Sequence, residues 1–346
     1  MILGFVLLFV ILILIVQQWT LENSLDAVEG NFWPEDNVVD PDETFDVSIE
    51  LKNKKRLPLY YIKVQCPFVK EFVIDSKVKK VTKNRSIDGH TVTISTWLKP
   101  RQKAQLKVPV SASCRGRYVL VHPSLYCGDF LGLKECKKNM EQMREVVVAP
   151  KEYDSQEVKQ VLGKFLGDYS VRRFIHEDPV LTLGFREYTG REPLKTISWK
   201  QSAQRQMLMV KEYDHTVEPV ISVLVNVETE LADNKELLEK CFSLARRVCS
   251  NLEARGMQYD FYTNAQMAGG TGDDYTVSEG LGPRHFTRVM ELLGRSMHIS
   301  AFSLEKLMKM AEDSGGKDRG KIIITPNESP VSSADGQILV LKAHLL

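Results

Sequence analysis

The sequence lacks an excess of charge of either sign. Its 346 residues include 46 Lys and Arg against 45 Asp and Glu, which leaves a formal net charge of +1 at pH 7. Proteins that bind nucleic acid usually carry a strongly basic footprint, so the composition predicts no nucleic-acid partner. The hydrophobic fraction of 43% is typical of a folded protein, and the length predicts about two domains.

The cysteines lack the spacing of a metal site or of a disulfide framework. No C-x-x-C pair and no Cys/His metal-site spacing occurs in the sequence. Free thiols are most stable in a reducing compartment, which favours a cytoplasmic location for the folded body. The six cysteines are Cys66, Cys114, Cys127, Cys136, Cys241 and Cys249.

Sequence motifs of catalysis are also missing. No Ser lies in a G-x-S-x-G elbow, and the glycine-rich run Met267–Asp274 lacks the spacing of a phosphate-binding loop. Cys127 follows His122 by five residues in a strand-like segment, which predicts that the two lie on opposite faces. His176 has acidic neighbours, but this setting is more typical of a turn cap. We predict no enzymatic activity and no cofactor; an enzyme with a site assembled from distant residues remains an alternative.

An apolar run without a charged side chain occupies Met1–Val16. Extended to Trp19 or Leu21, it reaches roughly the 20 residues that a helix needs to cross a bilayer. A cleaved signal peptide is the alternative, but no basic residue precedes the run and no A-x-A site follows it. We predict a single-pass transmembrane anchor over residues 1–20 in contact with membrane lipid, a linker over 21–37, and a cytoplasmic body.

Residues 38–150 show the alternation of half-buried strands. In Thr44–Lys52 every second residue is apolar, and similar alternation recurs in the segments 57–65, 90–97 and 104–111. Several short strands at regular spacing, with polar turns between them, are typical of a β-sandwich. We therefore predict one antiparallel β-sandwich domain over residues 38–150.

Residues 216–346 alternate strands with helices. The run Val217–Val227 is apolar and β-branched, which suits a strand covered on both faces. Apolar residues from Leu237 to Leu252 follow at helical spacing, and Gly256 is a stop signal for that helix. Further strands and two further helices, near residues 285–294 and 303–313, predict βαβ units and a mainly parallel sheet.

The stretch Glu187–Tyr213 reads EYTGREPLKTISWKQSAQRQMLMVKEY. It resembles the signature of the DUF58 family, in which an Arg-Glu-Tyr strand leads through a Gly-Asp turn to an Ile-x-Trp-Lys-x-Ser-Ala-Arg run. The matching residues are Arg186, Glu187, Tyr188, Ile197, Trp199, Lys200, Ser202 and Ala203, followed by Met209, Val210, Lys211 and Glu212. We assign residues 151–215 to this signature segment.

The chain departs from the family pattern at three points. Arg191 and Glu192 stand in place of the Gly-Asp turn, and Gln204 follows Ala203, so that Arg205 comes one place late. Members of the family usually have two membrane helices ahead of the β-domain, whereas this sequence predicts one.

The resemblance implies a fold, a cation site and a partner. The implied fold is multidomain: an N-terminal transmembrane helix, an antiparallel β-sandwich, and an α/β von Willebrand factor A-like (Rossmann-like) domain. Such domains often bind a divalent cation through oxygen ligands in Asp-x-Ser-x-Ser. The matching positions are Asn226, Glu228 and Glu230, which lack the first carboxylate and both hydroxyls, so we predict no metal. The implied partner is a MoxR-type AAA+ ATPase.

These features together predict a membrane-anchored, non-enzymatic interaction or adaptor protein that works with this ATPase in envelope assembly or stress. An extracytoplasmic adhesion or envelope-binding module on the same scaffold is the alternative.

The signature segment is the predicted interaction site. We expect Trp199 to fill the boundary between the two domains or to pack within one of them, because an indole buries a large apolar area. Arg186, Lys200 and Arg205 either pair with Glu187 and Glu192 or dock an acidic partner surface. The predicted site residues are Arg186, Glu187, Tyr188, Glu192, Ile197, Trp199, Lys200, Ser202 and Arg205.

Overall fold

The structure is a computed structural model that describes most of the chain. The residues outside the description are 1, 23–24, 26, 76–79, 85–87, 129–133, 176–181, 191, 214–219, 230–234, 270–273, 316–318, 327–336 and 345–346. The chain forms two compact units. Unit 1 consists of Met1–Lys151 together with Met290–Ser296, and unit 2 consists of Glu152–Val289 together with Met297–Leu346.

The predicted transmembrane helix is wrong. Helix α1 spans Ile2–Glu22, but none of the helices in the described residues is long and apolar enough to cross a membrane. The apolar run of α1 ends at Val16, and its last turns carry polar side chains such as Gln17, which is buried. At 1.5 Å per residue, the 15 residues Ile2–Val16 extend only about 22 Å, short of the roughly 30 Å of a bilayer core.

The predicted fold class is corrected accordingly. The described chain is mainly β-structure, with its strands in six sheets and a few helices. A helix crosses a membrane only if its apolar part is long enough to span the bilayer core. The predicted span was counted to Leu21 and therefore included polar residues that do not add to the apolar length.

Apart from α1 and the end of helix α5 (Pro283–Arg295), the regular elements described in unit 1 are strands. Its strands are β1 Val28–Pro34, β2 Val38–Val39, β3 Thr44–Asn53, β4 Leu59–Val69, β5 Phe72–Ile74, β6 Val81–Asn84, β7 Gly89–Leu98, β8 Lys103–Ala112, β9 Gly116–Leu120, β10 Ser124–Gly128, β11 Glu135–Asn139 and β12 Arg144–Val148. They form three sheets with the strand orders β1-β3-β8-β5, β11-β10-β4-β7-β6 and β2-β12-β9. All the pairs are antiparallel except β2 with β12, which is parallel.

Alternating side chains of these strands form the core of unit 1. In β3, the residues Phe45, Val47, Ile49 and Leu51 are each at most 6% exposed, which confirms the strand predicted from alternation. The core continues through inward residues of β4, β7, β8 and β10. Each fully buried aliphatic side chain contributes about 1.5–3 kcal/mol, so this common core makes a large favourable contribution to the stability of the unit.

Strand β4 carries a bulge opposite β7. The pairing runs from Leu59 with Leu98 directly to Ile62 with Thr96, so that two residues of β4 lie where β7 has one. Leu59 and Ile62 are buried, whereas both Tyr60 and Tyr61 are exposed. A bulge inserts an extra residue and redirects its side chain, which explains why two consecutive tyrosines leave the core.

Unit 2 combines a hairpin with an α/β sheet. Its elements are α2 Gln156–Ile175, β13 Thr182–Glu187, a 3-10 turn Leu194–Thr196, α3 Trp199–Arg205, β14 Met209–Tyr213, β15 Ile221–Val225, α4 Lys235–Ala254, β16 Tyr259–Thr263, β17 Ala265–Met267, β18 Thr276–Gly280, α5 Pro283–Arg295, β19 Ser296–Ser300, α6 Leu304–Gly315, β20 Gly320–Thr325 and β21 Ile338–Lys342. The last turns of α5, from Met290, and Ser296 belong to unit 1.

The main sheet of unit 2 has the order β18-β16-β15-β20-β21. Strands β16, β15, β20 and β21 are parallel, and β18 is an antiparallel edge. All residues of β15, β16 and β20 are buried, as expected for parallel strands covered on both faces. Helix α4 ends as predicted near Gly256, whose φ of 66° favours glycine.

The end of α5 is held within unit 1 by polar contacts. Arg115 Nη1 donates to the carbonyl oxygens of Leu293 and Ser296, the latter at 2.7 Å. Arg295 lies 3.4 Å from Glu145, which also pairs with Arg117. Unit 1 therefore includes a helical segment that lies far along the chain from its strands.

Candidate interaction site

The signature hairpin consists of β13, β14 and their connection. The two strands pair antiparallel, with Arg186 opposite Val210 and Glu187 opposite Met209, and in the described residues they pair with no other strand. The N–H of Tyr188 donates to the Leu208 carbonyl at 2.9 Å and continues the ladder. An isolated pair of strands is marginally stable in water, so the connection must contribute to its stability.

Ser202 joins the connection to β14. Its hydroxyl donates to the Ser198 carbonyl at 2.8 Å and accepts from the Met209 N–H at 2.9 Å. The Ser198 N–H in turn donates to the Met209 carbonyl at 2.8 Å. Ile197 forms an antiparallel bridge with Val210, and both are buried. Two predicted site residues, Ile197 and Ser202, therefore fix the position of α3.

Glu192 fixes the turn that follows β13. Its carboxylate lies 2.6 Å from Arg186 Nη1 and accepts from the N–H and the hydroxyl of Thr189, at 3.1 and 2.8 Å. The hydrogen bond from Arg186 lowers the pKa of Glu192 to about 2. The predicted pairing of Arg186 with Glu192 is thus present, and the Glu192 carboxylate closes the turn after β13.

Lys200 and Arg205 have a different environment from Arg186. Both are exposed side chains on α3, and neither has an ion-pair partner among the residues that the structure describes. Lys195 is exposed in the 3-10 turn beside them. Three positive charges are therefore available to a partner on this connection.

The expected burial of Trp199 is wrong. The residue is 68% exposed at the start of α3. It is accompanied by exposed Leu194, Met207 and Leu208, which are 69%, 48% and 45% exposed. Helix α3 has only seven residues, so its sequence shows no amphipathic period that could have indicated which side faces water. Leu194, Met207 and Leu208 are not among the site residues predicted from the sequence.

The degenerate cation positions are engaged in hydrogen bonds. Asn226 Oδ1 accepts from Asn264 Nδ2 at 2.7 Å and from the Glu228 N–H at 3.1 Å. Glu228 Oε2 accepts from the Leu304 N–H at 2.9 Å, at the start of α6. The predicted third position, Glu230, lies outside the described residues. Asn226 and Glu228 thus connect the ends of strands to α6.

Comparisons with known proteins give little further guidance. No family model matches the sequence, and no curated protein matches it. The resemblance to the DUF58 family therefore stays a prediction.

Some solved structures are weakly similar to about a third of the chain. A cohesin module of a Clostridium perfringens family 33 glycoside hydrolase has a TM-score of 0.27 at 11% identity, and 35% of this chain and 96% of that module are covered. A CARDB domain from Pyrococcus furiosus has a TM-score of 0.23 at 13% identity, covering 35% and 91%. The Pseudomonas fluorescens alkylpurine DNA glycosylase AlkC has a TM-score of 0.21 at 8% identity, covering 35% and 30%. Scores this low carry no argument about function.

Proposed function

We propose that this chain is a non-enzymatic interaction or adaptor protein, and that its signature hairpin binds a partner protein. The observation that carries the proposal is the 68% exposure of Trp199 among three other exposed apolar side chains. Aromatic residues dominate the energetics of protein interfaces, and grouped exposed apolar side chains are typical of interaction sites.

The hairpin also offers a rigid base for such an interface. Ser202 and Ile197 attach α3 to β14, while Arg186 and Glu192 close the turn after β13. Binding of a partner to Trp199 would therefore lose less conformational entropy than binding to a mobile segment. Lys195, Lys200 and Arg205 favour a partner surface that is apolar at its centre and acidic at its rim.

Three of the buried cysteines are poor candidates for a catalytic nucleophile. The thiolate is the reactive form of cysteine, and burial raises the pKa of Cys66 and of Cys241 to about 12. Burial also raises the pKa of Cys249. These three thiols remain protonated at neutral pH and are inaccessible to a substrate.

A MoxR-type AAA+ ATPase is the partner that we propose, in envelope assembly or stress. The support is the resemblance of the signature residues to the DUF58 family. The positive charges of α3 and of the 3-10 turn would meet acidic residues of the ATPase, and Trp199 would enter an apolar pocket between them.

We place the folded body in a reducing compartment and propose the cytoplasm. All six cysteines are free thiols, although Cys127 and Cys136 lie directly opposite each other in β10 and β11. In an oxidising compartment such opposed thiols would be exposed to disulfide formation.

The deciding experiment compares Trp199→Ala with Trp97→Ala. Trp97 is a matched control because it is also well exposed, at 58%, but lies on β7 in unit 1. Binding to a purified MoxR-type ATPase from the same genome is measured by biolayer interferometry. We expect Trp199→Ala to weaken binding about tenfold to 100-fold, as for a hot-spot residue, and Trp97→Ala to leave it unchanged.

Lys200→Glu gives a second readout at the same site. Reversal of a rim charge mainly slows association, so this variant should lower the association rate while its melting temperature stays at the wild-type value. Equal binding by wild type, Trp199→Ala and Lys200→Glu would contradict the proposal, as would an absence of binding by the wild type.

A further inference from the structure

The small net charge of the chain conceals an uneven distribution. Residues 1–151 carry 22 Lys and Arg against 17 Asp and Glu, a net charge of +5, whereas residues 152–346 carry 24 against 28, a net charge of −4. Within the first part, the segments 51–70 and 89–128 contain twelve Lys and Arg and no Asp or Glu. Of these twelve residues, Lys63 lies on β4, Lys103 and Lys107 lie on β8, and Lys99 and Arg101 lie in the turn between β7 and β8.

The outer face of the sheet β11-β10-β4-β7-β6 displays aromatic rings among these positive charges. The bulge in β4 exposes Tyr60 and Tyr61, at 67% and 37%, opposite Trp97, at 58%. On the neighbouring strand, Tyr126 lies directly opposite Lys63. We call this surface the aromatic–lysine face; its residues are Tyr60, Tyr61, Lys63, Trp97, Lys99 and Tyr126.

Lysines lie close to the rings of this face. Lys63 Nζ is 4.7 Å from the centre of the Tyr126 ring, and Lys99 Nζ is 5.8 Å from that of Trp97. Lys137 Nζ approaches Tyr126 from β11 at 5.7 Å. Lys63 also pairs with Glu135 at 2.9 Å, so its charge is partly neutralised. Lys99 does not cover Trp97, which remains 58% exposed, and Tyr60 is 67% exposed.

Further positive charges lie at the end of the face. Buried Asn53 donates through Nδ2 to the carbonyls of Leu57 and Lys99, each at 3.0 Å, and so holds two adjacent turns together. Arg56 and Arg101 are exposed in these turns. Neither they nor Lys99 has a carboxylate partner among the residues that the structure describes.

We propose that the aromatic–lysine face binds single-stranded nucleic acid. Base stacking on exposed aromatic rings, combined with cations that follow the phosphate backbone, is the general mode of binding single strands. Tyr60 and Trp97 would stack with bases, and Arg56, Lys99 and Arg101 would contact phosphates. Charge alone would accommodate an acidic peptide, but the grouping of flat, exposed rings favours a ligand with flat rings of its own.

The proposal predicts weak sequence preference and strong dependence on salt. Stacking accepts any base, and each phosphate contact on a single strand contributes about −0.7 to the slope of log affinity against log salt. Three contacts give a slope of about −2, which corresponds to roughly 20-fold weaker binding at 200 mM than at 50 mM salt.

The test is fluorescence polarisation of the full chain with a labelled oligothymidine of about 15 nucleotides, a length suited to such sites. Trp97→Ala should weaken binding about tenfold, and Arg101→Gln should reduce the magnitude of the salt slope by about 0.7. Lys309→Gln, which alters an exposed residue of unit 2, is the matched control and should bind as the wild type does.

Three results would overturn the proposal. The first is no saturable binding by the wild type at 50 mM salt. The second is displacement of the oligonucleotide by polyglutamate of the same total negative charge and at the same concentration, which would show that the aromatic rings do not contribute to binding. The third is binding to anionic lipid vesicles that depends on Trp97 while oligothymidine binding does not. Each variant is melted beside the wild type, and unchanged melting temperatures show that the folded protein is compared.

Discussion

At the scale of single residues, two serines of the signature hairpin differ in what their hydroxyls do. Ser198 and Ser202 are each 8% exposed. Ser202 connects the Ser198 carbonyl to the Met209 N–H, whereas the Ser198 side chain makes no capping hydrogen bond to α3. A buried N–H that loses its acceptor costs about 1–3 kcal/mol, so the two positions should respond differently to the same substitution.

Ser202→Ala should destabilise the hairpin and Ser198→Ala should not. The first variant leaves the Met209 N–H without its acceptor, and we expect its amide exchange to accelerate by at least about fivefold. The second removes a hydroxyl with no such acceptor role. Hydrogen exchange followed by mass spectrometry of the peptide over β14 measures the difference, and equal protection in both variants would refute the assigned role of Ser202.

His285 is a residue whose titration should affect stability. It is 9% exposed, packs at 4.6 Å against the Tyr259 ring, and its Nε2 has no hydrogen-bond partner among the described residues. Burial lowers the pKa of His285 below its ordinary value of 6.5. As pH falls below about 6.5, the unfolded chain takes up a proton that the folded chain does not, so acidification favours unfolding.

The melting temperature should therefore fall between about pH 7.5 and 5.5, and His285→Gln should reduce that fall. Glutamine fills part of the same space but does not titrate. Differential scanning fluorimetry at several pH values measures both slopes. If the wild type and the variant lose the same amount of stability, the charge on His285 is not responsible.

At the scale of elements, the end of α5 packs so closely that it requires glycine. A Cβ at Gly294 would overlap Val147 Cγ1 and lie 2.9 Å from the Val148 carbonyl oxygen. In α2, by contrast, a Cβ at Gly167 would meet no atom within 4 Å. Glycine weakens a helix relative to alanine by roughly 0.5–1 kcal/mol, so the same substitution should have opposite effects at the two sites.

Gly294→Ala should destabilise the protein by about 1–3 kcal/mol through overpacking, and Gly167→Ala should stabilise it slightly. Urea denaturation followed by circular dichroism gives the direction of each change. Stabilisation by both substitutions would mean that α5 does not approach β12 as closely as the structure shows.

Patterns in the sequence predict those elements whose environment is periodic. Alternation locates β3 and β8, and the apolar runs locate β15 and β20, because one or both faces of these strands are buried. The short pair β17 and β19 was not predicted. Such features depend on packing between distant residues.

The sequence predicted the strands of the candidate site but not which of its side chains are exposed. Both strands of the hairpin were expected from the sequence, and Glu192 was expected to pair with a neighbouring basic side chain although it departs from the signature. The exposure of Trp199 depends on which side of a seven-residue helix faces β14. That choice is made by Ser202 and Ile197, through contacts that no local pattern reveals.

At the scale of the whole molecule, averages over the chain concealed the features most relevant to binding. The net charge of +1 combines a basic first part with an acidic second part. The prediction of no nucleic-acid partner used only that average, whereas the structure gathers aromatic and positive side chains on one sheet of unit 1. The predicted domain limits at residues 150 and 215 stay predictions. They assume that each domain is one continuous stretch of sequence, whereas unit 1 also includes Met290–Ser296.

The discontinuity of unit 1 has a consequence for its biosynthesis. The ribosome must add the 138 residues Glu152–Val289 after the last β-strand of unit 1 before the segment that completes this unit exists. At 5–20 residues per second this takes roughly 7–28 s. During that interval Arg115 lacks its acceptors at Leu293 and Ser296, and we expect the incomplete unit to be a target for chaperones and proteases.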